Sequence, residues 1–122
     1  MDIRELINSN FPKDSSIDLD FMANENRIVI RLTGSLDLRS SSALQNLLAS
    51  IIAGMDLGVR LIVDLQNVSY IPSAGVGALT MALSSAKKRD ITFQLYHIQP
   101  KVRSVFDLLG FMSFFEEAKN DE

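Results

Sequence analysis

The chain has neither cysteine nor tryptophan in its 122 residues. Without cysteine there is no disulfide framework, no thiolate nucleophile and no cysteine-based zinc or iron–sulfur site, and the composition fits a reducing, cytoplasmic compartment. Long hydrophobic runs are missing too. The most apolar stretch, Leu47 to Met55, is interrupted by Ser50 and Gly54, against the roughly 20 apolar residues that cross a bilayer. Met1-Asp2-Ile3-Arg4-Glu5-Leu6 carries acids where a secretion signal needs a basic start. Positive charge is scarce: 12 Lys and Arg against 15 Asp and Glu give a formal charge of −3. The only basic run, Lys87-Lys88-Arg89, is too short to track a nucleic-acid backbone or hold an anionic membrane. No glycine-rich loop with lysine is present to cradle a nucleotide phosphate, so nucleotide hydrolysis has no support. No repeat, low-complexity tract or linker divides the chain, and one domain is expected.

What is present is 47% apolar residues in two alternating periods. Ile17, Leu19 and Phe21 alternate with Asp18, Asp20 and Met22; Asn24-Glu25-Asn26 interrupts; then Ile28, Ile30 and Leu32 resume. The pattern predicts a two-stranded hairpin. From Ser41 onward, Leu44, Leu47, Leu48, Ile51 and Ile52 recur at helical spacing, with serines before them and Gly54 after. Leu61-Ile62-Val63 is continuously apolar, as in a strand covered on both faces. A loop is expected from Gln66 to Pro72, then a helix carrying Val76, Leu79, Leu83 and Ala86 that ends at Lys87-Lys88-Arg89. Ile91, Phe93 and Leu95 read as a strand, and Pro100 opens a last helix with Val102, Phe106 and Leu109 before Gly110. The order is β-β-α-β-α-β-α, an α/β chain with a mixed sheet backed by helices. Residues 1–16 read as an N-terminal extension with a short helix over Arg4 to Asn8, and 17–122 as the domain. Phe111 to Glu122 reads as a truncated helix fraying at Asn120.

Chemistry concentrates where the central strand leads into the next helix, at Pro72-Ser73-Ala74-Gly75-Val76-Gly77. Ser73 is expected as the N-cap, its hydroxyl accepting from an amide of Gly75 or Val76 and its side chain at the surface. Two glycines in a first helical turn are unusual, since each destabilises a helix by about 1 kcal/mol relative to alanine. They imply that something approaches this backbone closely.

This stretch resembles the signature of STAS domains (sulfate transporter and anti-sigma factor antagonist), in particular of bacterial anti-sigma factor antagonists, whose loop reads Asp-Ser-Ser/Thr-Gly-Leu-Gly. Leu32-Thr33-Gly34-Ser35-Leu36-Asp37 and Val102-Arg103-Ser104-Val105-Phe106-Asp107-Leu108-Leu109-Gly110 are similar to two further pieces of that family. The resemblance spans about residues 17–115 and implies a STAS-like mixed sheet. It also implies a non-enzymatic protein without cofactor, a monomer or weak dimer, that binds an anti-sigma factor serine kinase. Ser73 matches the serine that such a kinase phosphorylates, and release follows phosphorylation. The resemblance places the partner surface at Asp37, Pro72, Ser73, Ala74, Gly75, Val76 and Gly77. Pro72 stands where the family has aspartate, removing a carboxylate that would orient the serine, and Ala74 replaces a second hydroxyl residue.

Other readings remain beside this one. Pro72 also suits a STAS scaffold subunit of a transport or signalling complex that is not phosphorylated. Asp37 serves equally as a turn or helix cap, and loop hydrogen bonding accounts for Asp64 and Asn67. His97, the only histidine, invites a triad with Asp64 and Ser73, but no nucleophile-elbow pattern accompanies it. Glu116-Glu117 and Asp121-Glu122 read as a solvated tail and not as metal ligands.

Overall fold

A computed structural model describes residues 1–119. Helix α1 (Ile3–Asn10) precedes strands β1 (Ile17–Ala23) and β2 (Arg27–Ser35). Then come α2 (Leu38–Gly54), β3 (Arg60–Tyr70), α3 (Ser73–Lys88), β4 (Phe93–Tyr96) and α4 (Pro100–Leu109). A 3-10 turn (Met112–Phe114) leads into a short β5 (Glu116–Glu117). The five strands lie in the order β1-β2-β3-β4-β5; β1 runs antiparallel to β2 and every other pair is parallel. The expected α/β plan is thus present, with a helix added before it and a two-residue strand after it. The expected fraying at Asn120 and the Asp121-Glu122 tail lie outside the described residues.

Period-two alternation sorts the sheet into two faces. Leu61, Val63 and Leu65 of β3 join one core with Leu44, Leu47 and Leu48 of α2 and Val76, Leu79 and Leu83 of α3. Ile62 and Asp64 point the other way and are nonetheless buried. A strand buried on both sides reads as a continuous apolar run, which is why Leu61-Ile62-Val63 was legible. At the β4 edge, Phe115 stacks edge-on against Phe106 of α4, with ring centroids 5.4 Å apart, and lies 6.5 Å from Phe93. Arg103 of α4 donates to both carboxylate oxygens of Glu117, at 2.5 and 3.1 Å, and so fastens β5 to α4. Residues 111–119 therefore form a turn and an edge strand, and not the truncated helix their spacing suggested. Gly110 caps α4 at φ 77°, a left-handed conformation that ends the helix.

Three boundaries differ from the sequence reading, each for a local reason. Helix α2 begins at Leu38, ahead of Ser41, because Asp37 and Ser40 form a reciprocal capping box. Strand β3 continues to Tyr70, where a loop was expected from Gln66. Its far half pairs with Thr33, Gly34 and Ser35 across two register shifts that break the apolar alternation. Helix α1 is longer than Arg4 to Asn8, since Asp2 caps it by accepting from the Glu5 amide at 3.1 Å. Ile3, Ile7 and Phe11, four residues apart, are all buried in the main core. Each such side chain contributes about 1.5–3 kcal/mol relative to exposure. Arg4 lies over the Phe21 ring at 4.9 Å, tying α1 to β1.

Two glycines carry opposite expectations. A Cβ on Gly75 would lie 2.7 Å from buried Ile71 Cγ1 and 3.3 Å from Ser41 Oγ, so Gly75→Ala forces the start of α3 away from Ile71 and from α2. Overpacking of this kind destabilises by about 1–3 kcal/mol. A Cβ on Gly77 meets nothing within 4 Å, so Gly77→Ala adds up to about 1 kcal/mol of helix stability. Urea unfolding of the two variants checks the pair, and equal midpoints contradict the helix contact. The Arg103 guanidinium holds the Glu117 carboxyl below its ordinary value. A carboxyl lowered in the folded state contributes stability above its unfolded pKa and loses it as pH falls through the folded one. The thermal midpoint should fall on acidification through the carboxylate range, and Arg103→Gln should flatten that limb.

Candidate functional site

The parallel strands β2 and β3 both run toward one end of the molecule, and each passes there into a helix. The Leu36 amide donates to the Tyr70 carbonyl at 3.0 Å, and Ser35 Oγ lies 2.8 Å from Ser69 Oγ. These contacts hold the start of α2 beside the start of α3. Gly34, at φ 121°, makes the close passage of the chain possible: a Cβ there would lie 2.6 Å from the Ser16 carbonyl oxygen.

Ser73 is exposed in the first turn of α3. It is not the N-cap. Pro72 occupies that position at φ −80°, ψ 169°, and makes no side-chain cap bond. Proline forces the preceding backbone into an extended form, and the Pro72 carbonyl accepts from the amides of Gly75 and Val76 at 2.9 and 3.2 Å. These are the first bonds of the helix itself, so the two amides expected to bond to the serine are taken by the Pro72 carbonyl and α3 has no side-chain cap. The Ser73 hydroxyl makes no hydrogen bond to another described residue, so it is accessible and uncommitted.

The remaining residues of the stretch divide by face. Gly75 and Val76 are buried, Gly75 against Ile71 and Ser41. The close approach implied by the glycines therefore comes, for Gly75, from inside the protein. Ser41 Oγ is itself buried with no hydrogen-bond partner among the described residues, consistent with tight small-to-small packing between the helices. Pro72, Ala74 and Gly77 are half-buried, so with exposed Ser73 they make up the reachable side.

Asp37 caps α2, accepting from the Ser40 amide at 2.8 Å and the Ser40 hydroxyl at 2.8 Å. The Ser40 hydroxyl and amide hold its carboxyl below the usual aspartate value, so it stays charged at the rim of the corner. Capping and a place at the surface coexist in this residue. Two large apolar side chains that the motif did not reveal stand nearby, Leu38 at 75% and Tyr70 at 57% exposure. Helical and strand spacing did not flag them because each sits at an element's end, off the apolar stripe.

Asp64 and His97 lie elsewhere. Asp64 is buried on the far face of the sheet, where Arg31 Nε reaches Oδ2 at 3.3 Å and the Gln66 amide donates to Oδ1 at 2.9 Å. His97 Nδ1 is 3.8 Å from Oδ1, and its ring stacks on Tyr96 at 3.6 Å. Ser73 opens the helix packed on the other face and makes no hydrogen bond with His97, so the three residues form no triad. Asp64 belongs to β3 and not to a loop, and its bonds are those of a buried carboxylate satisfied by a cation and an amide. Asn67 also lies within β3, paired with Thr33. No group of three or more potential metal ligands occurs among the described residues, and no described helix is long and apolar enough to cross a membrane.

Comparison with known proteins places this geometry. Residues 19–115 match the family model described as "Mlab, STAS domain". The anti-sigma-B factor antagonist of Bacillus subtilis is 25% identical over 107 residues, covering 88% of this chain and 95% of that protein. The putative anti-sigma factor antagonist BtrV of Bordetella bronchiseptica is 32% identical over 84 residues, covering 68% and 72%. In fold, the chain is similar to the Bacillus cell fate determinant SpoIIAA in its phosphorylated form, with TM-score 0.64, 23% identity and coverage of 86% and 93%. One family model covers most of the chain, including both strands and both helices of this corner: the chain belongs to the STAS domain family.

Proposed function

We propose that this chain is a cytoplasmic anti-sigma factor antagonist that binds an anti-sigma factor serine kinase at the corner around Ser73 and is released when Ser73 is phosphorylated. The names of two relatives, both anti-sigma factor antagonists, support the general role. The observation that carries the switch is the exposed Ser73 hydroxyl, uncommitted to any cap, at the start of a helix. On this reading residues 17–122 are the STAS unit, residues 1–16 extend it, and the protein acts as a monomer or weak dimer without a cofactor. Asp37, Pro72, Ser73, Ala74 and Gly77 meet the partner, while Gly75 and Val76 keep the corner in shape from beneath.

Elementary electrostatics makes the switch workable. A phosphate adds roughly −1.5 to −2 charges near pH 7. Pro72 brings no carboxylate to repel it, and the helix dipole favours an anion at this end by about 0.3–1 kcal/mol. The fold therefore tolerates the modification. A docked partner does not, because an unpaired charge enclosed at an interface weakens binding by about 2–5 kcal/mol, or roughly 30- to several-thousand-fold.

A second reading has its own support. Pro72 in place of the family's aspartate favours a STAS scaffold subunit of a transport or signalling complex that binds without being phosphorylated. One experiment separates the two. The purified cognate anti-sigma kinase and ATP are mixed with wild type and with Ser73→Ala, and phosphate incorporation and complex formation are measured. The switch predicts incorporation in wild type alone, and a complex that Ser73→Asp weakens by at least about 30-fold. A stable complex with no incorporation into wild type points to the scaffold, and equal incorporation in both proteins removes Ser73 from the mechanism.

A further inference from the structure

The reachable part of the Ser73 corner is small. Ser73, Ala74 and Gly77 carry short side chains or none, and with Asp37, Pro72, Leu38 and Tyr70 the corner is a handful of residues, whereas a specific protein interface draws on about 20–30 residues and about 800 Å² on each partner. A surface that continues the corner is therefore needed, and the molecule has one. Between the end of α1 with its lead-in to β1 and the first turns of α2 lies an open cleft of about 630 Å³, within the usual range for binding clefts.

Its lining is distinctive. Pro12 and Ala43 are the only apolar residues in it; the rest are charged or carry amides and hydroxyls, among them Asn8, Ser42 and Asn46. Such a lining does not suit a lipid or an apolar ligand. Amide and hydroxyl side chains both donate and accept, which is what an extended peptide backbone requires on each side. Asp14 and Asp37 face a single cation, Arg39, so the cleft is net negative. Asp37 stays ionised through its Ser40 bonds, and Ser16 Oγ, 3.3 Å from Ser40 Oγ, joins the two walls.

The location adds a second argument. Asp37 belongs both to this cleft and to the rim of the Ser73 corner, because the Leu36–Tyr70 hydrogen bond holds the β2 and β3 ends together. A protein seated on Ser73 meets the cleft next. The outer wall, residues 8–16, comes from the end of α1 and the lead-in to β1, elements separate from the helix that carries Ser73.

We infer that this cleft is a second contact surface for the same partner, taking an extended polar segment of the anti-sigma factor that carries a cationic side chain. The inference rests on the proposed function. It assigns partner choice to residues 8–16 and to α2, apart from the phosphate switch at Ser73. Specificity and switching then sit on adjacent but separable surfaces.

The test uses the full chain and the purified cognate anti-sigma factor, with affinity read by calorimetry. Ser42→Trp fills the cleft from an exposed position, and Asp14→Lys reverses its charge from an exposed lead-in. Each should weaken binding by about tenfold or more while the thermal midpoint and amide spectrum stay those of wild type. Ser73→Asp serves as the independent control. If both cleft variants bind like wild type while Ser73→Asp releases the partner, the cleft is not part of the interface although the proposed function stands. If wild type does not bind the anti-sigma factor at all, both fall.

Discussion

Parallel pairing of β2 with β3 is the constraint on which the rest depends. Two parallel neighbours discharge their chains at the same end of a sheet, and each must then cross back through a helix on a covered face. The starts of α2 and α3 are therefore brought side by side by topology, and the Leu36–Tyr70 bond and the close packing of Gly75 on Ser41 then hold them there. Asp37, Leu38, Tyr70 and Ser73 are close for that reason, although they span much of the sequence. The bulged far half of β3 extends this pairing to Tyr70 and locks the two exits together through Leu36 and Ser35.

On that frame, the helices divide their faces between core and surface at single-residue resolution. Gly75 gives up its side chain so that Ile71 and Ser41 can fit beneath α3, and Ser73, two residues earlier, is left outward with its hydroxyl free. Pro72 makes this division cleaner. Pro72, not Ser73, holds the N-cap position, so the serine stands inside the first turn with no capping bond to make. A serine that must cap a helix cannot exchange its hydroxyl proton for a phosphate without disturbing that cap. The Ser73 hydroxyl is thus left unengaged.

The far face of the sheet uses polar chemistry for stability. Arg31 and Asp64 pair across β2 and β3, Arg60 donates to Gln94 at 3.0 Å, and Gln94 donates to Glu116 at 2.7 Å. These cross-strand bonds cover Val29 and Ile62, both fully buried. Asp64 and His97 belong to that ladder, which is why two residues that look catalytic on paper come together without a nucleophile.

The amino-acid sequence by itself determined the element types, because hydrophobic periodicity reports which face of a local segment must leave water. It placed the hairpin, the buried central strand, the helices behind it and the Ser73 corner. It did not determine where elements end, since capping boxes, bulges and edge strands depend on partners far along the chain: Ser40 on Asp37, Gly34 on Val68, Glu117 on Arg103. Nor could it tell Gly75 from Gly77. Both sit in one helical turn and read alike locally, yet only the packing of Ile71 and α2 beneath α3 makes the first a necessity and leaves the second with open space before it. Tertiary structure decided that much because burial is a property of what lies opposite a residue, and periodicity records only that something must.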